Sequence, residues 1–228
     1  DIKGGKGDDA IWVRDNAESV ISNGAIRFIN EVETTVYASG IFATGYSKVT
    51  IKNVDVVACA EAVFAQANAA VEILSGSFKS TEHPEFTLNL KDTARDTASI
   101  IVKGGKYFQF NPANNAAEGA GTNFVADGYK AVETAAGVYT VIPNSAAIAA
   151  DNTAVEAALD DPTINTIYLD AKEYTIEMYT NFTAKESLTI IGTEGTKVAF
   201  KNQQVRLALC ENFTIKNCEI LHMATKSW

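Results

Sequence analysis

Residues 47–58 read SKVTIKNVDVVA, and residues 211–222 read ENFTIKNCEILH. The tetrapeptide TIKN is identical in both stretches, and the apolar positions around it also correspond. The matching positions are Val49 with Phe213, Val54 with Cys218, Val56 with Ile220 and Val57 with Leu221. A unit that returns with its apolar positions intact is typical of stacked structural repeats. The sequence therefore predicts a fold built from similar coils.

One layout recurs along the chain: an apolar-x-apolar pair, followed one or two residues later by a turn-prone residue. It occurs at Val49-x-Ile51 before Asn53, Val71-x-Ile73 before Ser75, Ile100-x-Val102 before Gly104, Leu188-x-Ile190 before Gly192 and Phe213-x-Ile215 before Asn217. Alternation at period two indicates strands with one buried face. Because asparagine and glycine tolerate positive φ best, a sharp bend is expected after each strand.

The strands recur at a drifting interval. The first series has spacings of 22 residues from Val49 to Val71 and 29 from Val71 to Ile100. A second series begins at Ile11, Ile41, Val63 and Leu88, with spacings of 30, 22 and 25 residues. Two series with one drifting period predict coils of three short strands with variable corners. The pair Asn23-Gly24 lies between apolar pairs and is compatible with a single hairpin.

This layout resembles the right-handed parallel β-helix of the pectin-lyase-like superfamily, over about residues 8–110 and 165–228. In that fold asparagines often stack at the sharp turn between two sheets. The resemblance implies a structural turn ladder of Asn53, Ser75, Gly104, Gly192 and Asn217. The expected fold class is all-β, a right-handed parallel β-helix (solenoid) with a short capping α-helix between two β-helical segments.

Four segments are expected along the chain. Residues 1–110 form β-helix coils, and residues 111–143 form a loop and closing strands. Residues 144–163 hold a capping helix that Asp151 or Asn152 starts and Pro162 ends. The apolar residues at helical spacing are Ala146, Ile148, Ala149, Ala154, Val155, Ala158 and Leu159. Residues 164–228 start a second β-helix segment, and we expect the chain to be a piece of a longer polypeptide.

Composition excludes some classes of function. Apolar residues make up 46% of the chain and charged residues 21%, which is typical of a folded protein. The net charge of −9 argues against a nucleic-acid partner, since phosphate binding needs clustered Lys and Arg. No apolar run is long enough for a membrane span, so no membrane insertion is expected. Cys59, Cys210 and Cys218 each lie in an apolar segment and are expected to be buried free thiols, with a Cys210–Cys218 disulfide as the alternative.

No residue set predicts a reaction. Polysaccharide hydrolases on β-helices need two or three carboxylates on adjacent coils. The candidates are Asp55, Glu72, Asp92, Asp96 and Glu219, and the sequence does not place them on one face. We therefore predict no catalytic residue, no metal site and no cofactor. Among the aromatic residues, Tyr46 and Tyr107 are the candidates for contact with carbohydrate.

The function expected from the resemblance is structural or adhesive and non-enzymatic. Residues 110–143 resemble a tail module of β-helical surface proteins from gut Bacteroidales and their phages. The resemblance implies a component of an extracellular or virion appendage: a phage head fibre or tail protein, or a bacterial surface protein. Its expected partners are further copies of the chain (a trimer is one option), other appendage subunits and surface glycans. The alternatives are a polysaccharide lyase or glycoside hydrolase acting in a groove of the β-helix, and a non-catalytic glycan-binding module.

Overall fold

The computed structural model describes residues 2–4, 9–28, 38–177, 185–201 and 210–223. The protein is mostly β, with 56% in strands and one α-helix among the described residues. It divides into two compact units, Asp1–Pro143 and Asn144–Trp228.

The strands of the first unit pair in parallel, except for an antiparallel hairpin at its end. They are β1 (Ile2–Gly4), β2 (Ile11–Val13), β3 (Glu18–Phe28), β4 (Ile41–Ala43), β5 (Lys48–Ala58), β6 (Val63–Ala65), β7 (Ala70–Ile73), β8 (Gly76–Ser80), β9 (Leu88–Leu90), β10 (Ser99–Val102), β11 (Gly105–Phe108), β12 (Tyr129–Ala135) and β13 (Val138–Pro143). The hairpin is β12–β13, and β13 also pairs with β11.

The pairing registers confirm the strand spacing predicted from the sequence. Val71 lies between Val49 on one side and Ile100 on the other. The second series forms a separate four-stranded parallel sheet in the order β2-β4-β6-β9. Its registers join Ile11 to Ile41, Ile41 to Val63 and Val63 to Leu88. Residues 22 to 30 positions apart therefore become direct neighbours.

The core of the first unit consists of the inward-facing residues of these paired strands. Ile41, Ile51, Val56 and Phe78 are fully buried. Each is in direct register with a buried residue of the neighbouring strand: Ile41 with Val63, Ile51 with Ile73 and Val56 with Phe78. Burial of one such side chain contributes about 1.5–3 kcal/mol, so a slip of register by one residue would expose the whole row.

A row of polar and glycine residues forms the corner of the first unit. Asn23 and Asn53 have φ values of 56° and 53°, in the left-handed region. The Asn53 side-chain amide donates to Asn23 Oδ1 at 3.1 Å, and its backbone N–H lies 2.9 Å from Ser75 Oγ. The β8–β11 register places Gly104 beside Ser75. A Cβ on Gly104 would lie 2.2 Å from the Leu74 carbonyl oxygen, so only glycine fits there.

The hairpin considered for Asn23-Gly24 is wrong. Strand β3 runs through both residues and pairs in parallel with β5, with Gly24 opposite Val54. The dipeptide instead forms a left-handed corner inside a continuous strand. A left-handed asparagine suits such a corner as well as a tight turn, which is why the local sequence did not distinguish the two.

The described residues of the second unit form five parallel strands and one helix. The strands are β14 (Ala146–Ala149), β15 (Thr166–Leu169), β16 (Glu173–Glu177), β17 (Lys185–Lys201) and β18 (Cys210–Met223), and the helix is α1 (Asn152–Asp160). Asp151 is the N-cap, since its Oδ1 accepts the Ala154 backbone N–H at 2.8 Å. Val155 and Leu159 are buried in the same apolar cluster as Ile167.

The predicted helix is therefore confirmed only from Asn152 to Asp160. Ala146, Ile148 and Ala149, which fit the helical spacing, instead form strand β14 paired with β15. Tertiary pairing overrides local propensity here, because a run this short is compatible with both periods.

The corner of the second unit contains an insertion in one strand. The register joins Ile191 to Lys216 and then Thr196 to Cys218, so residues 192–195 face Asn217 alone. Asn217 has a φ of 57°. A Cβ on Gly192 would lie 2.7 Å from Cys218 Sγ, which explains the glycine.

The alternative of a Cys210–Cys218 disulfide is excluded. Both residues lie on β18, eight positions apart on one extended strand, and the two thiols are free. The third cysteine, Cys59, is buried, and its thiol donates to the Ala38 carbonyl at 3.4 Å. The two β18 cysteines are only partly buried, so full burial holds for Cys59 alone.

We predict that Asn53→Ala destabilises the protein more than Asn53→Gly. Both changes remove the bond to Asn23, but alanine also bears the left-handed strain of about 1–2 kcal/mol. Urea unfolding should give a free energy about 1 kcal/mol lower for alanine than for glycine. Equal values for the two variants would show that the corner does not depend on the left-handed backbone of Asn53.

Candidate functional site

The outer face of the sheet β2-β4-β6-β9 carries a row of aromatic rings. Trp12, Phe42 and Phe64 are the central residues of β2, β4 and β6 and lie in direct register. The ring centroids are 5.9 Å apart between Trp12 and Phe42, and 5.2 Å between Phe42 and Phe64. The Arg14 guanidinium lies over the Trp12 ring, 5.1 Å from its centroid. We call these three rings the aromatic row.

The ring planes decide what the aromatic row can bind. Adjacent planes differ by only 7° and 21°, so each ring face is turned toward the next ring. Sugar rings stack on ring faces, and in this row both faces of Phe42 are covered by neighbouring rings, while Trp12 has Phe42 on one side and Arg14 over its ring. The row is therefore better suited to holding three strands in register than to stacking a glycan.

A polar cluster adjoins the row at β9, whose central residue Asn89 is in register with Phe64. The Asn89 side-chain amide donates to Glu61 Oε1 at 3.2 Å, and the Ser39 hydroxyl donates to Glu61 Oε2 at 3.2 Å. The Ser39 backbone N–H donates to Asp9 Oδ1 at 2.8 Å. Asp9, Ser39 and Glu61 each stand two residues before an outer strand, so the repeat brings them together.

A second carboxylate, Glu118, lies at the same end of the sheet. Its side chain is only 1% exposed. Glu118 Oε2 accepts the Leu90 backbone N–H at 3.3 Å and lies 3.6 Å from Arg95 Nη2. The same Arg95 nitrogen is 2.8 Å from Asp92 Oδ1. Glu118 thus ties the loop after β11 to the last strand of the outer sheet.

Both glutamates have raised pKa values. Burial is the main cause of the raised pKa of Glu61, and the nearby Asp9 charge adds to it, while the bonds from Asn89 and Ser39 oppose it. Burial also raises the pKa of Glu118, against the opposing effects of the Leu90 N–H and Arg95. Repulsion from Asp92 and, to a smaller extent, from Glu61 adds to the raised pKa of Glu118.

This carboxyl pair limits the chemistry of the site. Paired carboxyls with raised pKa values are a feature of general acid catalysis. However, Glu118 is only 1% exposed, and its carboxylate accepts the Leu90 N–H and lies beside Arg95 within the protein. Within the described ranges, no group of three or more His, Cys, Asp or Glu side chains could hold a metal ion.

The two predicted carbohydrate contacts have different environments. Tyr46 is 67% exposed, in the turn between β4 and β5. Tyr107 is fully buried and stacks on Phe78 with centroids 5.3 Å apart, and its hydroxyl donates to the Gly104 carbonyl at 3.0 Å. The prediction for Tyr107 is therefore wrong, because its register with Phe78 turns the ring into the core.

The five carboxylates considered for catalysis are dispersed. Asp55 accepts from the Ser77 hydroxyl at 2.7 Å, and Glu72 pairs with Lys103 at 2.6 Å. Asp92 pairs with Arg95 as described, and Asp96 is exposed in the same corner. Glu219 lies in the second unit, beside an open cavity of about 590 Å³ lined by Glu194, Gly195, Asn217, Cys218 and Glu219.

The remaining reactive groups of the second unit have structural surroundings. Burial raises the pKa of the Cys218 thiol, which disfavours the nucleophilic thiolate. Lys185 is buried, its ammonium group donates to the carbonyls of Asp161 and Ile164, and burial lowers its pKa. These bonds fix the turn that follows α1.

The sequence contained a signal for the aromatic row that our interpretation did not use. Phe42 and Phe64 are the middle residues of apolar-x-apolar pairs, so alternation alone places them on one outer face with Trp12. Glu61 had the same kind of signal, because Asp9, Ser39 and Glu61 each precede an outer strand by two residues, but Glu118 had none, since it lies in a loop 28 residues from its partner Leu90.

Comparison of the chain with protein-family models, curated proteins and solved structures finds no match. Among the described residues, no helix has the length and apolar character needed to cross a membrane.

We predict that Glu118 makes folding stability depend on pH. Because the folded pKa is raised, the folded state binds more protons than the unfolded state above the ordinary carboxyl pKa. The stabilisation is then present at low pH and is lost as pH rises through the folded pKa. Glu118→Gln, which keeps an acceptor for Leu90, should reduce this loss in urea titrations from pH 4 to pH 8.

Asp96→Asn provides the control. It removes an exposed carboxylate from the same corner but leaves Glu118, Asp92 and Arg95 in place, so the wild-type pH slope should remain. If Glu118→Gln kept the full wild-type slope, the buried carboxyl would not be its source.

Proposed function

We propose that the chain is a right-handed parallel β-helix of the pectin-lyase-like type and a non-enzymatic structural or adhesive part of an extracellular or virion appendage. The observation that carries the proposal is the in-register parallel pairing of strands 22 to 30 residues apart, with matching inward rows. Stacked coils of this kind form a stiff scaffold with long exposed faces, suited to spacing and to weak repeated contacts.

The arrangement of polar groups also supports a non-enzymatic role. The carboxylates considered for catalysis are engaged in separate local bonds or lie in different units. The rings of the aromatic row stack on one another, and the side chains of the polar cluster form hydrogen bonds within the protein. These groups that could bind a ligand or take part in a reaction thus have structural contacts instead.

The proposed setting follows the resemblance of residues 110–143 to tail modules of β-helical surface proteins. We place the protein in a phage head fibre or tail, or on a bacterial surface, with further copies, other appendage subunits and glycans as partners. Tyr46 is the remaining glycan-contact candidate, since its ring is exposed and Tyr107 is buried.

The second candidate function is a polysaccharide lyase or glycoside hydrolase. One observation favours it: Glu61 and Glu118 are bonded to neighbouring residues of β9, and burial raises the pKa of both carboxyls. In that case Glu61 would face the substrate, since it is only half-buried and lies beside the aromatic row. The burial of Glu118 favours the structural function over this one.

Incubation with acidic and neutral polysaccharides tests the choice. We expect no chain cleavage by size-exclusion analysis at any pH between 4 and 8. Cleavage that Glu61→Gln abolishes, while Asp92→Asn retains it, would establish the enzyme and overturn the structural proposal.

A further inference from the structure

The turn between β4 and β5 carries Tyr46 at its outer tip, where the side chain is 67% exposed. The strands that follow the neighbouring turns pair in register, which makes Asn16, Tyr46 and Asn68 equivalent positions of three adjacent turns. Asn16 and Asn68 are exposed as well. Because described turns lie on both sides of Tyr46, its exposure does not arise at an end of the sequence.

The turn that holds Tyr46 is fixed by its backbone. The Tyr46 N–H donates to the Asp15 carbonyl at 2.6 Å, and the Asn68 N–H donates to the Gly45 carbonyl at 2.8 Å. Gly45 has a φ of 73°, and a Cβ there would lie 2.7 Å from the Asp15 carbonyl oxygen. The next residue, Ser47, is fully buried. The backbone at Tyr46 is therefore ordered before any partner binds, which lowers the entropic cost of binding.

The groups beside Tyr46 are able to form hydrogen bonds with a partner. Among the described residues, the side-chain amides of Asn16 and Asn68 form no hydrogen bond. Neighbouring strands are about 4.8 Å apart, so one amide lies on each side of the Tyr46 position. The Gln66 side-chain amide donates to Thr44 Oγ1 at 3.2 Å, which holds two more polar side chains next to these turns.

The charged groups around Tyr46 are already paired. Lys48 and Glu18, which follow the turns, form an ion pair at 2.8 Å, and Arg14 lies 3.6 Å from Asp15. An anionic ligand would therefore compete with carboxylates for these two cations. The groups left for a ligand are an aromatic ring and carboxamides, which suit an uncharged molecule rich in hydroxyl groups.

The composition of the three turns is typical of contact surfaces. In antibody binding loops, tyrosine supplies a large contact area at low entropic cost, while asparagine and serine supply adaptable hydrogen bonds. The same residue types occur here on turns that a rigid sheet positions.

We propose that the Tyr46 turn and its two neighbours bind a neutral glycan, with one sugar ring against the Tyr46 ring and its hydroxyl groups bonded to Asn16 and Asn68. The inference rests on the adhesive role put forward under the proposed function, and it assigns that role a ligand class and a position. One shallow contact of this kind binds weakly, so firm attachment to a polymer comes from several copies of the chain acting together.

Surface plasmon resonance with the full chain tests the contact. The immobilised probes are dextran, mannan and galactan as neutral polysaccharides and alginate as an acidic one. We expect saturable binding to at least one neutral probe, with an affinity that is unchanged between about 0.05 and 0.5 M salt, because salt screens only charged pairs.

Three variants locate the binding site. Tyr46→Ala should weaken binding at least about fivefold, as expected for a central tyrosine contact. Asn68→Ala removes one hydrogen-bonding side chain and should weaken binding about two- to tenfold. Tyr168→Ala is the matched control, because it removes a partly exposed tyrosine from β15 of the second unit, and it should bind within about twofold of wild type. The urea midpoint of Tyr46→Ala should equal that of wild type, since the lost side chain is exposed.

Binding to none of the three neutral polysaccharides would overturn the contact, as would binding to alginate alone. Tyr46→Ala that binds like wild type would also overturn it. None of these results bears on polysaccharide cleavage, which tests the proposed function separately.

Discussion

The structure depends on the packing of each inward-facing apolar side chain against the side chain in register with it on the neighbouring strand. Val49 on Val71 and Val71 on Ile100 are examples, and the outer sheet repeats the arrangement from Ile11 to Leu88. Because the strands pair in parallel at a constant register, the apolar residues of one short sequence pattern are buried on every strand that carries it. The corner residues serve this arrangement, because the left-handed Asn23 and Asn53 turn both strands at the same position.

The outer face adds a second set of register contacts. The aromatic row joins β2, β4 and β6 by ring stacking, and the row continues at β9 with Asn89, which bonds Glu61. Glu118 then connects the loop after β11 to β9. This last connection places a carboxyl in a poorly solvated position, which raises its pKa and makes the end of the sheet sensitive to protonation.

The strands and their spacing could be predicted from the sequence because alternation and interval are local, countable features. Even so, Ala146–Ala149 fits the helical spacing and yet forms strand β14, since four residues rich in alanine are compatible with either period. Tyr107 was proposed as a ligand contact because a tyrosine fits both a wet surface and a core. Only its register with Phe78 decides between them. Glu118 could not be found from sequence, as its partner Leu90 is 28 residues away and a loop of irregular length intervenes.

Disulfide trapping tests the parallel register most directly. In a background with the three native cysteines replaced by serine, cysteines at Thr50 and Glu72 occupy directly opposed positions on neighbouring strands. Their Cα atoms should lie about 4.8 Å apart, within the range a disulfide spans. Cysteines at Thr50 and Ile101 are two strands apart, because Ile101 faces Glu72 on its far side. The account predicts rapid bridging of the 50–72 pair and none of the 50–101 pair; bridging of the second pair, or failure of the first, would contradict it.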